Sequence, residues 1–341
     1  MGPNQTVLVY GKSGIGKSTL LAQAIAYIAK TTGKKSRVVN ADGGGTSSAL
    51  EGLVEAGLAE IWNIDLEDQG MFTALNAASK GWWPEDSSIP NSRLLPPVRV
   101  WRKCPFCGGD SGAKSLTMVK ACEACKKDFP AGTLLPIEYE LINEAEKIGL
   151  YGFEGMTSIG DILLNRFKDI DKSGLANAIK DGSGSDYTIA QVGMQHYLLA
   201  QNELMRCFQN MRQIPTDVVM WTALELKADD DGKPLYGPAG PGKALTHRCL
   251  GKFTSVIHVD AVAKRSTTGA ILKAPDGTEM LDRKMYLAPH SPIDAPGQWF
   301  SAKTSAPEGG GMPTVLDCDM AVFFEEMKAA KIKAKAKLLA K

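Results

Sequence analysis

Thr6-Val-Leu-Val-Tyr10 runs directly into Gly11-Lys-Ser-Gly-Ile-Gly-Lys-Ser18, and Thr19 to Lys30 (TLLAQAIAYIAK) continues with helical periodicity. A β-rich run, then G-x-x-x-x-G-K-S, then a helix is the context that a phosphate-binding P-loop requires. Gly11, Gly14 and Gly16 let the backbone turn its N–H groups inward around phosphate oxygens. The N-terminus of the following helix adds partial positive charge at the same point. The cradle is Gly11, Lys12, Ser13, Gly14, Ile15, Gly16, Lys17, Ser18 and Thr19. Lys17 is placed to reach the β- and γ-phosphates, and Ser18 to ligate Mg²⁺. A glycine-rich turn that merely opens a helix would need neither flank. The stretch predicts binding of a nucleoside triphosphate, with ATP and Mg²⁺ as the expected ligands.

Farther along, Cys104-Pro-Phe-Cys107 and Cys122-Glu-Ala-Cys125 form two CxxC pairs separated by fourteen residues. Two such hairpins place four thiolates at the corners of a tetrahedron, which suits a closed Zn²⁺ site. Two copies in register favour metal over a redox pair. With four cysteine ligands no coordination position is left for catalysis, so the zinc is expected to be structural. The surroundings read as an insertion, with prolines at 84, 90, 96, 97, 105, 130 and 136 marking irregular chain. From Arg93 to Asp128 eight basic residues face three acidic ones, an excess of +5. Such a lobe either contacts nucleic acid or a partner, or simply presents a solvated basic face. Cys207, Cys249 and Cys318 share no ligand spacing and read as ordinary thiols.

Composition bounds the rest. The 341 residues are 44% hydrophobic and 23% charged, enough for a well-buried core and too apolar for general disorder. No run of about 18 apolar residues appears, so no transmembrane helix is expected. The first residues (MGPNQTVLVY) show no basic segment before a long apolar stretch, and no secretory leader is expected. Seven cysteines without a leader argue against a disulfide framework and for a reducing, cytoplasmic setting. A net charge of +1 makes any nucleic-acid surface a local one.

Further strands are expected at Arg37 to Ala41, Ile148 to Phe153, Asp217 to Thr222 and Phe253 to Val262, with short ones near 279–287 and 298–303. A long helical stretch runs from Ile189 to Gln213. Strands alternating with helices behind a P-loop predict an α/β fold with a mainly parallel sheet flanked by helices. Asp42 leaves the second strand before Gly43-Gly44-Gly45, where it either polarises an attacking water or forms a turn. Glu154 ends the strand Ile148 to Phe153, where a carboxylate normally holds the Mg²⁺-bound water. His258, inside a strand pattern, reads as a core or surface histidine. The lysine-rich end from Ala321 to Lys341 favours helix, either solvated or used to bind nucleic acid or a partner.

The order of these parts resembles the RecA fold, and specifically the RecA-like nucleotide-binding proteins of phages that include Sak-type single-strand annealing ATPases. The carrying stretches, beyond the P-loop, are VVNAD ending at Asp42, GFEGMTS ending at Ser158, GSGSDYTIAQVGMQHYLLAQNELM ending at Met205, VVMWTALE ending at Glu225, and GPGKALTHRCLGKFTSVIHVDAV ending at Val262. The resemblance implies an ATPase core over 1–80 and 137–305, an inserted zinc lobe over 81–136 and an extension over 306–341. It implies that Asp42 activates water, that Glu154 takes the Walker B position and holds Mg²⁺ with Ser18, and that Lys303 reaches a neighbour's γ-phosphate. It implies two DNA-facing loops, Ser173 to Tyr187 with Lys180, and Lys227 to Lys243. Single-stranded DNA, a second copy of the chain and another recombination or replication protein are the implied partners. Two departures stand out. Leu224 falls where a polar sensor is usual, with Thr222 and Glu225 as the nearest substitutes. The P-loop begins ten residues from the N-terminus, so the polymerisation element of filament-forming recombinases is not expected. A nucleotide-dependent interaction module without turnover, or a hexameric helicase or packaging motor, are the alternatives for the same core.

Overall fold

In the computed structural model, the alternation of apolar runs and amphipathic segments gives β1 (Gln5–Gly11), α1 (Lys17–Thr32), β2 (Lys35–Asn40), α2 (Ser47–Glu55), β3 (Ala59–Asn63) and α3 (Met71–Ser79). The short strands β4 (Trp83–Pro84), β5 (Leu94–Leu95), β6 (Val98–Arg102) and β7 (Ile137–Leu141) follow. Next come β8 (Ile148–Glu154), α4 (Met156–Ile170), α5 (Met194–Asn210), β9 (Val218–Ala223), β10 (Glu225–Asp230), β11 (Lys233–Pro238) and α6 (Lys243–Leu250). The chain closes with β12 (Ser255–Ala263), β13 (Leu281–Tyr286), β14 (Trp299–Phe300), β15 (Lys303–Thr304), β16 (Val315–Asp317) and α7 (Met320–Leu339). The structure describes residues 5–42, 47–64, 71–89, 92–112, 121–130, 133, 135–170, 192–230, 233–292, 297–306 and 310–339.

The central sheet runs β16-β13-β12-β1-β9-β8-β2-β3, with β15 also on β12. From β12 to β3 every pairing is parallel, whereas β13, β15 and β16 join antiparallel. The P-loop strand is therefore central, and β9 separates it from the strand that ends in Glu154. This is a RecA-like α/β arrangement. Val7, Leu8, Val9 and Tyr10 are all fully buried, as a parallel strand covered on both faces must be.

Alternation along β1 sends its side chains to two different cores. Leu8 and Tyr10 join Phe153, Trp221 and residues of α3, α4, α5 and α6. Val7 and Val9 join Val38, Met220 and Ile257 under α1, α2 and α7. In the first core the Trp221 ring stacks on Phe153 with centroids 4.2 Å apart, and Phe208 meets it edge-on at 5.1 Å.

Three features differ from the sequence reading. The lysine-rich terminal helix is not simply solvated: Met320, Phe323, Phe324, Met327, Ala330 and Ala334 of α7 are buried. Glu325 accepts a 2.6 Å hydrogen bond from Tyr27 of α1, and Phe324 stacks on that ring. The stretch 137–141, expected to resume the core, pairs antiparallel with β6 and so carries the cysteine lobe. Most of Lys227 to Lys243 is not a loop but the hairpin β10–β11, to which β14 adds a third strand. The other proposed DNA-facing loop, Ser173 to Tyr187 with Lys180, lies outside the described residues, as do Asp231 and Gly232.

Candidate functional site

At the end of β1 the chain turns through Gly14 (φ 72°) and Gly16 (φ 101°), and α1 begins at Lys17. Gly16 occupies the left-handed region at the N-cap, where a Cβ would be strained. Among the described residues no side chain caps the helix, which leaves its first N–H groups to a ligand. The Lys17 ammonium folds back on the loop, donating to the Gly11 carbonyl at 3.2 Å and the Lys12 carbonyl at 2.7 Å. Burial lowers its pKa, and the charges of Asp42, Glu225 and Glu154 oppose that shift. A cleft of about 390 Å³ opens over the loop, lined among others by Ser13, Lys17, Ser18, Asp42, Thr157, Thr222 and Leu224.

Two carboxylates reach this cleft from strand ends. Asp42 follows β2; its carboxylate accepts a hydrogen bond from the Ser158 hydroxyl, and its N–H donates to Asn40 Oδ1 at 3.0 Å. Glu154 is the last residue of β8 and is 1% exposed. Burial pushes its acid up to about 7; the Asp42 charge adds to this, while a hydrogen bond from Ser18 and the charge of Lys17 oppose it. Its Oε2 is buried without a hydrogen-bond partner among the described residues. A half-satisfied carboxylate beside the P-loop serine is the donor set a hard cation takes, so Ser18 and Glu154 fit Mg²⁺. When bound, the ion would neutralise charge on the phosphate oxygens.

At the end of β9, Leu224 stands between two polar side chains, Thr222 and Glu225. Thr222 Oγ1 accepts from the Gly155 N–H at 3.2 Å, and the Leu224 N–H donates to Thr157 Oγ1 at 3.0 Å. The Leu224 side chain lines the cleft and offers no hydrogen bond. Glu225 lies 3.3 Å from Nε2 of the fully buried His258, whose Nδ1 is 3.2 Å from Nε2 of His290. His258 is thus a satisfied core histidine, as its strand pattern indicated.

The structure brings Lys17, Ser18, Asp42 and Glu154 to one mouth and leaves Lys303 outside it. Lys303 pairs with Val256, three residues before the Val259 that faces Gly11 across β12. It lines a separate, largely apolar cleft with Leu235, Leu250, Trp299 and Phe300.

The cysteine lobe is built from two matching knuckles. Cys104 N–H donates to Gly109 O and Gly108 N–H to Cys104 O, both at 2.8 Å. Cys122 N–H donates to Lys127 O and Lys126 N–H to Cys122 O, both at 2.9 Å. The fourth residue after the first cysteine is left-handed in each: Gly108 at φ 74° and Lys126 at φ 60°. All four sulfurs lie within 4.8 Å of one another, with Cys104–Cys125 and Cys107–Cys122 both at 3.8 Å. That is far beyond a disulfide bond and matches the edge of about 3.8 Å of a tetrahedron with Zn–S bonds of about 2.3 Å. Backbone N–H groups of Phe106 and Cys125 donate to Cys104 and Cys122 sulfurs. The cluster fits Zn²⁺, which would hold the two knuckles together.

Sequence reasoning passed over the Glu225–His258–His290 chain and Arg283, whose guanidinium stands beside Gly16. Glu225 opens β10, His258 lies in β12 and His290 follows β13, while Arg283 reaches Gly16 from two strands away, and no local motif marks them.

The chain matches no protein-family model and no curated protein. Among solved structures, a KaiC-like protein from the hyperthermophilic archaeon Pyrococcus horikoshii is similar over 83% of this chain and 85% of its own, at 10% identity and a TM-score of 0.35. The fold assignment rests on strand order and the P-loop. No described helix is long and apolar enough to cross a membrane.

Proposed function

We propose that this protein binds and hydrolyses ATP with Mg²⁺, and that it acts on single-stranded DNA in recombination, annealing or replication of the phage type. The observation that carries the ATPase reading is the convergence of Lys17, Ser18, Asp42 and the buried Glu154 on one P-loop cleft. Lys17, released from the loop carbonyls, pairs with the β- and γ-phosphates. Asp42, fixed by Ser158, takes the proton of the water that attacks the γ-phosphorus as ADP leaves. The DNA reading has softer support: the resemblance in the order of parts and the basic segments of the lobe. Lys303, remote from its own P-loop, suits contact with the nucleotide of a second copy in a homo-oligomer. Leu224 in the sensor position favours one other reading, a nucleotide-dependent interaction module without turnover.

The test is ATP binding and phosphate release by the wild type, Lys17→Ala and Asp42→Asn, with and without a single-stranded oligonucleotide at low salt. Lys17→Ala should lose binding. Asp42→Asn should keep binding and lose turnover by roughly 10²–10⁴-fold, because an amide cannot take the proton. Normal turnover by Asp42→Asn would move the base elsewhere. Tight ATP binding without turnover in the wild type would select the interaction module, and absent oligonucleotide binding would remove DNA from the proposal.

A further inference from the structure

β13 lies two strands from the P-loop strand, on the side away from β8 and β2, whose ends carry Glu154 and Asp42. Arg283 of β13 pairs with Ala261 of β12, and Val259, two residues before Ala261, pairs with Gly11. Alternation puts Arg283 on the same sheet face as Met285, which packs in the core under α1. There its guanidinium reaches the start of α1. A Cβ built on Gly16 would stand 3.4 Å from Arg283 Nη1, 3.9 Å from its Cζ and 3.9 Å from Thr19 Oγ1.

The other cations of the loop are engaged. Lys12 lies 3.6 Å from Asp260, and Lys17 is folded onto backbone carbonyls. The acids nearest to Arg283 on its own and the neighbouring strand are also taken, Asp282 by Lys264 and Asp317 by Lys284. Among the described residues Arg283 has no hydrogen-bond or ion-pair partner, although its charge is felt by Cys318. An exposed guanidinium whose donors meet no described acceptor thus flanks a glycine whose N–H faces phosphate in the P-loop reading.

We infer that Arg283 is a nucleotide-binding residue, pairing with the α/β-phosphates that the loop backbone cradles, at the end of the site opposite to Asp42. The inference rests on the nucleotide-binding reading above. Arg suits this place because its fork meets two phosphate oxygens at once, which a lysine ammonium cannot do.

The experiment is titration of the full chain with MgATP and with ADP, for wild type, Lys17→Ala, Arg283→Ala, Arg283→Gln and Arg283→Lys. Both neutral variants should bind ATP and ADP about ten-fold more weakly, by the same factor for each, with Arg283→Lys in between. Equal factors are expected because Arg283 sits away from the γ-phosphate end. The unliganded thermal midpoint should not move, and either neutral variant suffices if the other folds poorly. Wild-type affinity in a folded neutral variant would overturn the inference, as would a loss confined to ATP. If the wild type itself binds no nucleotide, the P-loop reading falls and takes this inference with it; binding lost in Lys17→Ala but kept in the Arg283 variants would sink the inference alone.

Discussion

The P-loop and the cysteine lobe are both short loops that aim donors at a charged guest, yet they are supported in opposite ways. The P-loop hangs from a strand buried on both faces, and its partners arrive from β2, β8, β9 and β13. The lobe draws almost nothing from the two cores: of its residues 98–130, Cys104, Ser111 and Cys122 are the described ones that are buried. Its paired hydrogen bonds stay within each knuckle, and its strand pair β6–β7 exposes Val100 and Tyr139. In the first region the scaffold exists without the guest; in the second a bound metal would itself be the scaffold.

The largest effect should come from taking the metal away. Chelation, or Cys104→Ser, removes a binding term on the order of 10 kcal/mol. It should increase amide exchange across 98–130 while ATP affinity is unchanged; lost ATP binding would show that the two regions share one support. Next, Trp221→Ala should destabilise the sheet by roughly 3–5 kcal/mol in urea unfolding, leaving zinc content at one per chain. Trp221→Phe should cost much less, because the buried indole N–H has no hydrogen-bond partner among the described residues.

A pH effect should follow from His290, half-buried beside His258. Burial first, and then the neighbouring His258, push His290 down from 6.5 to about 4. Its folded pKa is depressed, so the unfolded chain binds the extra proton between these values. The share of stability that His290 contributes, present above about pH 6.5, should fall as pH drops towards 4, by up to roughly 1.4 kcal/mol per unit. Glu154, raised to about 7, gives the opposite slope over nearly the same range. Urea midpoints at pH 7 and 5, compared between wild type and His290→Phe, would isolate the His290 share: the variant should lose less stability, or gain more, on going to pH 5. Smallest is Lys126→Gly, which relieves a left-handed residue where the first knuckle already has Gly108. It should tighten the lobe by roughly 1 kcal/mol, read as metal affinity in a competition titration; no gain would mean that the Lys126 side chain compensates.

What could be read beforehand follows from where the information lies. The P-loop and the CxxC pairs are contiguous, and their spacing encodes their geometry. Asp42 and Glu154 were legible as carboxylates at strand ends because strands are local. Arg283 was not, since its meeting with Gly16 depends on β12 standing between β13 and β1. The buried face of α7 was present as Met320, Phe323, Phe324 and Met327 at helical spacing, but the lysines around it drew the reading towards solvent. Likewise 137–141 reads as an ordinary strand, and only its partner shows which body it joins.

The contact between α7 and α1 also has a bearing on the moment at which the nucleotide site comes into being. Tyr27 and its partner Glu325 are separated by 298 residues, and β1 joins β12 through hydrogen bonds between Thr6 and Thr254 that span 248. Contacts of such separation are slow to form. On the ribosome the P-loop emerges before β12 and α7, which brace it from later in the chain. A nascent chain therefore carries its phosphate cradle unsupported until β12 and α7 are out, and the lobe, whose four cysteines precede both, would be free to capture a metal first.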